Sequence, residues 1–205
     1  MAAYEEGQTR RALEFLEPFV RGALGDPRVP EARFTIGQIH LDRREFISAA
    51  DAFQVVASQY PGHELAPEAR FLVCDAYSRL KPPPALDQQY TEATIAHCES
   101  VAQLYPGTER GEQALERVAA ARENLARKLY ENGNFYFRRR AFDAAILYYE
   151  EAIEHFPDTP VAPAALLRMA EAYDAIRYTE EAAEARERLV RDYPESPEAA
   201  EVQRA

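Results

Sequence analysis

The chain has 205 residues, 47% of them hydrophobic and 29% charged, with a formal net charge of −11 and a pI near 4.9. An apolar fraction of that size can fill a core without disulfide support, while so acidic a balance argues against a nucleic-acid partner, whose backbone asks for clustered Lys and Arg. No apolar run reaches the ~18 residues of a membrane span and none near Met1 suits a signal peptide, so we expect a soluble chain carrying no address of its own.

At the N-terminus, Tyr4-Glu5-Glu6-Gly7 has the make-up of the end of a first helix and Thr9 to Leu24 that of its partner. Ala12 and Leu16 fall on the packing face of that partner, which a missing upstream helix would leave bare, and Pro18 should kink it. The pentapeptide Pro-Glu-Ala-Arg-Phe then appears at Pro30 to Phe34 and again at Pro67 to Phe71, 67 − 30 = 37 residues on. A repeat of that period is the mark of a helical solenoid. A second marker runs in phase: an aromatic followed by proline at Tyr60-Pro61, Tyr105-Pro106, Phe156-Pro157 and Tyr193-Pro194. Proline stops the outgoing helix, having no N–H to donate, and the polar residue two positions later (His63, Thr108, Thr159, Ser196) is placed to start the next.

Between these markers the chain fills the tetratricopeptide slots four times. Ile36, Gly37, Ala49, Phe53 and Pro61 form one copy with His40 in the aromatic slot; Val73, Cys74, Tyr77, Thr94, Cys98 and Pro106 form a degenerate one. Leu129, Gly133, Tyr136, Ala145, Tyr149 and Pro157 fit closely, as do Leu166, Met169, Ala170, Tyr173, Ala182 and Pro194, with Arg186 the misfit. The small residue lets two helices of a pair approach. Tyr77 to Thr94 spans 94 − 77 = 17 residues where Tyr173 to Ala182 spans 182 − 173 = 9, and the extra 8 fall on Lys81 to Gln88, where three consecutive prolines form a stiff loop on the helix turn. Such a surface insertion should be dispensable to the fold.

Pro106 to Ala126 covers 126 − 106 = 20 residues where Pro157 to Pro163 covers 163 − 157 = 6, so one helix is unusually long. It contains Asn132-Gly133, a pair that also reads as a helix stop; because Gly133 falls in the small-residue slot between Leu129 and Tyr136, a continuous helix from about Thr108 to Arg139 is expected. The expected fold is therefore all-α: a right-handed superhelical solenoid of four to five tetratricopeptide-like helix pairs. It forms a single domain over residues 1–205, with N-terminal repeats in 1–107 and C-terminal repeats in 108–205.

Catalytic chemistry is not visible. His40, His63, His97 and His155 share neither a helix face nor a ligand spacing, and the glycines are scattered singly, so no metal, cofactor or enzymatic role is expected. Cys74 and Cys98 fall in packing slots of one helix pair, either as small buried hydrophobes or as a disulfide across the pair. Arg138-Arg139-Arg140 sits at a helix turn, as a solvated helix end or as a docking point for an acidic partner. In arrays of this kind the residue after the first bulky slot points into the concave face. Here those residues are Phe34, Phe71, Tyr130 and Leu167, joined by Leu41 and Phe137. They are either packing residues between successive helices or the lining of an apolar groove for an extended peptide. Only Arg127 with Asn134 resembles a basic clamp for a peptide terminus.

Leu86-Asp87-Gln88, Asn124-Leu125-Ala126-Arg127-Lys128, Phe135-Tyr136-Phe137-Arg138-Arg139, Ala144-Ala145-Ile146, Phe156-Pro157-Asp158-Thr159 and Glu171-Ala172-Tyr173 together resemble the BamD (YfiO) family of outer-membrane protein assembly lipoproteins, over roughly Tyr4 to Ser196. The resemblance implies a non-catalytic scaffold on the periplasmic face of the outer membrane. Its C-terminal half would hold the periplasmic domains of the β-barrel assembly subunit and its N-terminal half would receive the C-termini of unfolded outer-membrane proteins. Docking is implied at Arg138, Arg139 and Tyr148, the last where a basic residue is expected, and membrane attachment only through an N-terminal lipid whose Cys this sequence lacks. Another envelope tetratricopeptide adaptor, such as a division or Tol-linked coordinator, and a cytoplasmic co-chaperone are the competing functions.

Overall fold

Aromatic-proline steps end the helices where the sequence places them. The computed structural model describes residues 9–23 and 25–204. Among them run ten helices: α1 Thr9–Gly22, α2 Val29–Asp42, α3 Phe46–Gln59, α4 Ala66–Ser78, α5 Gln89–Leu104, α6 Glu109–Arg138, α7 Phe142–His155, α8 Val161–Ala175, α9 Thr179–Asp192 and α10 Pro197–Val202. No strand is present among the described residues. The first-helix reading of Tyr4 to Gly7 lies outside them. Pro18 lies within α1, and Ala12 and Leu16 do face its packing side.

Tyr60, Phe156 and Tyr193 close α3, α7 and α9 with nearly one backbone geometry, φ −127°, −134° and −132° with ψ 54°, 50° and 52°. The following proline disfavours helical dihedrals at the residue before it, so the same dipeptide makes the same exit each time. Two of the four expected caps form. Thr108 Oγ1 accepts from the Gly111 N–H at 3.1 Å and Ser196 Oγ from that of Ala199 at 3.1 Å. His63 and Thr159 instead serve the preceding turns: His63 Nδ1 accepts from the Leu65 N–H at 3.2 Å, and the Thr159 hydroxyl donates to the Phe156 carbonyl at 2.8 Å.

Within the pairs, three turns are alike. Arg44, Arg140 and Arg177 each adopt φ near +60° (59°, 59° and 66°). Around the first, the Arg44 N–H donates to Leu41 O and the Glu45 N–H to His40 O, and the pattern repeats at Arg140 and at Arg177. This is the Schellman arrangement with arginine in the position glycine usually takes.

The small-residue slot explains how each pair closes. A Cβ on Gly37 would lie 2.6 Å from Cε1 of Phe53, and one on Gly133 2.6 Å from Cδ1 of Tyr149. Both rings are fully buried. In the last pair the slot holds Ala170, and Arg186, 186 − 170 = 16 residues on like the two rings, turns aside to pair with Asp174. In the second pair the slot and its partner are Cys74 and Cys98, a disulfide with a sequence separation of 24. The long helix is continuous over 30 residues, Asn132-Gly133 included.

The helices form two compact units, divided within α6 rather than ahead of it. Of the described residues, the first holds those up to Pro82 together with 89–121; the second holds 83–88 and those from Arg122 on. In the first, α1 packs on α2, α2 on α3, α3 on α4 and α4 on α5, and Ala114 and Val118 of α6 join Phe71, Cys74, Cys98 and Val101 in one apolar cluster. In the second, α7 packs on α8 and α8 on α9, while Leu129, Tyr130, Tyr136 and Phe137 of α6 cover the core around Tyr149, Leu166 and Leu189.

Candidate functional site

Phe34 and Phe71 are core residues, so of the two readings open for them packing between helices holds, and they are not free aromatic lining of a peptide groove. Phe34 is 8% exposed and meets Phe53 edge-on at 5.2 Å. Phe71 is 2% exposed, with the guanidinium groups of Arg110 and Arg117 over its ring at 4.3 and 4.8 Å. Those cations are held by Glu68 at 2.6 Å and by buried Asp75 at 2.6 Å. The physical reason is the length of the α6 N-terminal extension, which lays Ala114, Val118 and these arginines across the face Phe71 would otherwise show.

The other four positions are half-buried. Leu41 rests on the cluster around Phe53 in the first unit. Tyr130, Phe137 and Leu167 rest on the core of the second, where Phe137 meets Phe142 edge-on at 5.3 Å. Sequence reasoning missed the cation among them. Arg168 lies 5.3 Å over the Phe137 ring, and bonds to Glu171 and to Tyr130 raise its pKa further. The signal was present, since Arg168 directly follows Leu167. Of the two residues that resembled a clamp, Arg127 pairs with Glu123, and Asn134 Oδ1 accepts from the Tyr149 hydroxyl at 2.8 Å.

A second feature is an open cleft of about 460 Å³ in the second unit. Pro84 and Ala85 of the proline loop form one wall, Lys128, Asn132, Phe135 and Arg138 of α6 another, and Tyr148 of α7 closes it. Tyr148 stacks on Tyr136 at 5.4 Å with 9° between the rings, and that neighbour pushes the Tyr148 phenol above its usual range. Arg139 lies 3.6 Å over the Phe135 ring. Two of the three expected docking residues, Arg138 and Tyr148, thus line the cleft, and the third covers one of its aromatics.

The proline loop itself overturns an expectation. Gln88 is 4% exposed and Asn124 of α6 5%, and Asn124 Nδ2 donates to Gln88 Oε1 at 2.7 Å. Lys128 Nζ donates to the Leu86 carbonyl at 3.1 Å. The loop is fastened to the long helix instead of standing free on a turn, because prolines that donate nothing leave carbonyls that side chains must satisfy.

A family model described as "YfiO: Outer membrane lipoprotein" matches residues 83–189, which include every residue lining the cleft. The chain belongs to the YfiO family. A tetratricopeptide repeat model matches residues 1–64. Among curated proteins, this YfiO-family chain is similar to the outer membrane protein assembly factor BamD of Caulobacter vibrioides, 34% identical over 138 residues, covering 67% of this chain and 44% of the relative. It is also similar to BamD of Vibrio cholerae, 32% identical over 94 residues, covering 46% and 39%, and to that of Rickettsia prowazekii, 25% identical over 78% of each. The chain therefore spans less than half the length of the first two relatives.

Proposed function

We propose that this chain is a non-catalytic scaffold of the outer-membrane β-barrel assembly machinery, acting at the periplasmic face of the outer membrane. The observation that carries this reading is the cleft: it lies wholly inside the YfiO-matched segment and gathers Arg138 and Tyr148. On a chain of net charge −11, a cleft lined by Lys128 and Arg138 against the single carboxylate of Glu131, with Arg139 and Arg140 adjoining, complements an acidic segment of the barrel subunit's periplasmic domains. Attachment to the membrane would come from an N-terminal lipid on a Cys outside this sequence. Unfolded barrel proteins would be received separately, through their C-terminal residues, at Leu41 in the first unit, whose face Phe34 supports from the core, and at Tyr130, Phe137 and Leu167 in the second.

Binding of the barrel subunit's periplasmic domains from the same source, measured by surface plasmon resonance, tests the docking half. Arg138→Glu should raise Kd roughly tenfold or more and leave the melting temperature in place, since Arg138 is exposed. An unchanged Kd would remove the cleft from the assignment. For the peptide half, a barrel-protein C-terminal peptide should lose more affinity when its last aromatic becomes Ala than when its carboxylate is amidated, because Glu171 already engages Arg168. The reverse order would make Arg168 a carboxylate clamp.

A further inference from the structure

The docking reading leaves unexplained why a glutamine should be buried in a loop. Gln88 turns back on its own segment: Nε2 donates to the Pro83 carbonyl at 2.9 Å and to that of Leu86 at 3.0 Å. Its other amide atom accepts from Asn124 at 2.7 Å. One side chain thus satisfies loop carbonyls and ties the loop to α6. A buried amide pair is costly unless every donor and acceptor is used, and here the geometry uses both ends of the amide. The residues so held, Pro84 and Ala85, are the ones that wall the cleft. Three consecutive prolines make the segment stiff, so fixing its end fixes its course.

We propose that Gln88 is the positioning residue of the cleft: clipped to Asn124, it holds the proline loop as a preformed wall against which the partner docks. The inference rests on the docking reading. A wall already in place removes an ordering cost from association, so loosening it weakens binding without touching a contact residue.

The chain contains no tryptophan, so Ala85→Trp places a single fluorescent reporter on the wall of the intact protein. In that background, Gln88→Ala and Asn124→Ala should each red-shift the emission and increase quenching by acrylamide. Without the reporter, each should raise Kd for the barrel subunit's periplasmic domains about tenfold, and the double variant should be no worse than the worse single one, as expected for one network. Asn124→Ala leaves Gln88 bonded within the loop, so it reads the tether alone should Gln88→Ala fail to fold. Unchanged quenching would show that the clip does not set the loop. Increased quenching with unchanged Kd, while Arg138→Glu still weakens binding, would show that the loop is no wall and overturn the proposal. If Arg138→Glu also leaves Kd unchanged, the docking reading falls, and this inference with it.

Discussion

At Gly133 two effects of opposite sign compete. A helical glycine replaced by alanine ordinarily gains up to about 1 kcal/mol from backbone entropy. Here the new Cβ would sit 2.6 Å from Cδ1 of Tyr149, a ring that is fully buried and tied by its hydroxyl to Asn134. The ring cannot swing aside cheaply, and overpacking of this kind costs about 1–3 kcal/mol, so the clash wins. We expect Gly133→Ala to lower the urea midpoint and Gly133→Leu to lower it further, whereas in a Tyr149→Ala background, with the clash gone, Gly133→Ala should raise it slightly. Additive losses would mean that the glycine is required for something other than ring clearance. This position was legible in the sequence, because the slot between Leu129 and Tyr136 demanded a small residue. The turn after it was read at Arg138-Arg139-Arg140, but its left-handed backbone was not. The turn residue is Arg140 at φ 59°, and an arginine carries none of the signal that glycine would at a left-handed position.

Elements were most readable where a residue's backbone chemistry leaves one choice. Proline after an aromatic ends a helix whatever its surroundings, and α3, α7 and α9 end so. Side-chain roles with several local partners were less readable: Thr108 caps a helix, while Thr159 bonds back to Phe156. The proline loop lies on the turn where the sequence placed it, but its fastening was not legible, because its anchor, Asn124, lies 36 residues beyond Gln88 and nothing local announces a tertiary hydrogen bond. One such long-range contact makes a pH prediction. Arg122 holds Asp158 in the α7–α8 turn at 2.6 Å, and that bond keeps the Asp158 carboxyl below its ordinary 3.8. A depressed carboxylate stabilises the fold above its unfolded pKa, and the contribution is lost as pH falls through the folded value. Because the Asp158 side chain is 60% exposed, the contribution should be only about 0.2–1 kcal/mol. Asp158→Asn should therefore unfold slightly earlier than wild type at pH 7, with the gap closing as the pH drops below 3.8. A gap that persists in acid would assign the loss to packing.

At the scale of the whole chain, the sequence implied a row of repeats, and the division into two units inside one uninterrupted helix is what it did not convey. The apolar stripe of α6 continues past the boundary, so composition shows no seam; only the partners differ, Phe71 and the cysteines for Ala114 and Val118, the Tyr149 core for Leu129 and Phe137. Likewise the slots placed Cys74 and Cys98 in one pair without deciding between packing and bonding, since both need the same proximity. The bond now gives a test of how stability is distributed. Two pairs close through Gly37 with Phe53 and Gly133 with Tyr149, and the last holds buried Ala170 in the slot, whereas the second, whose turn the proline insertion lengthens, closes through sulfur. Opening a loop of 24 residues should cost on the order of 3 kcal/mol. In a repeat array each helix pair draws stability from its neighbours alone, so that loss should stay local. Hydrogen exchange under reducing conditions, or in a Cys74→Ala/Cys98→Ala variant, should show protection falling in α4 and α5 while α8 and α9 keep theirs. An equal fall across all helices would show instead that the two units unfold as one, and that the disulfide steadies the whole chain.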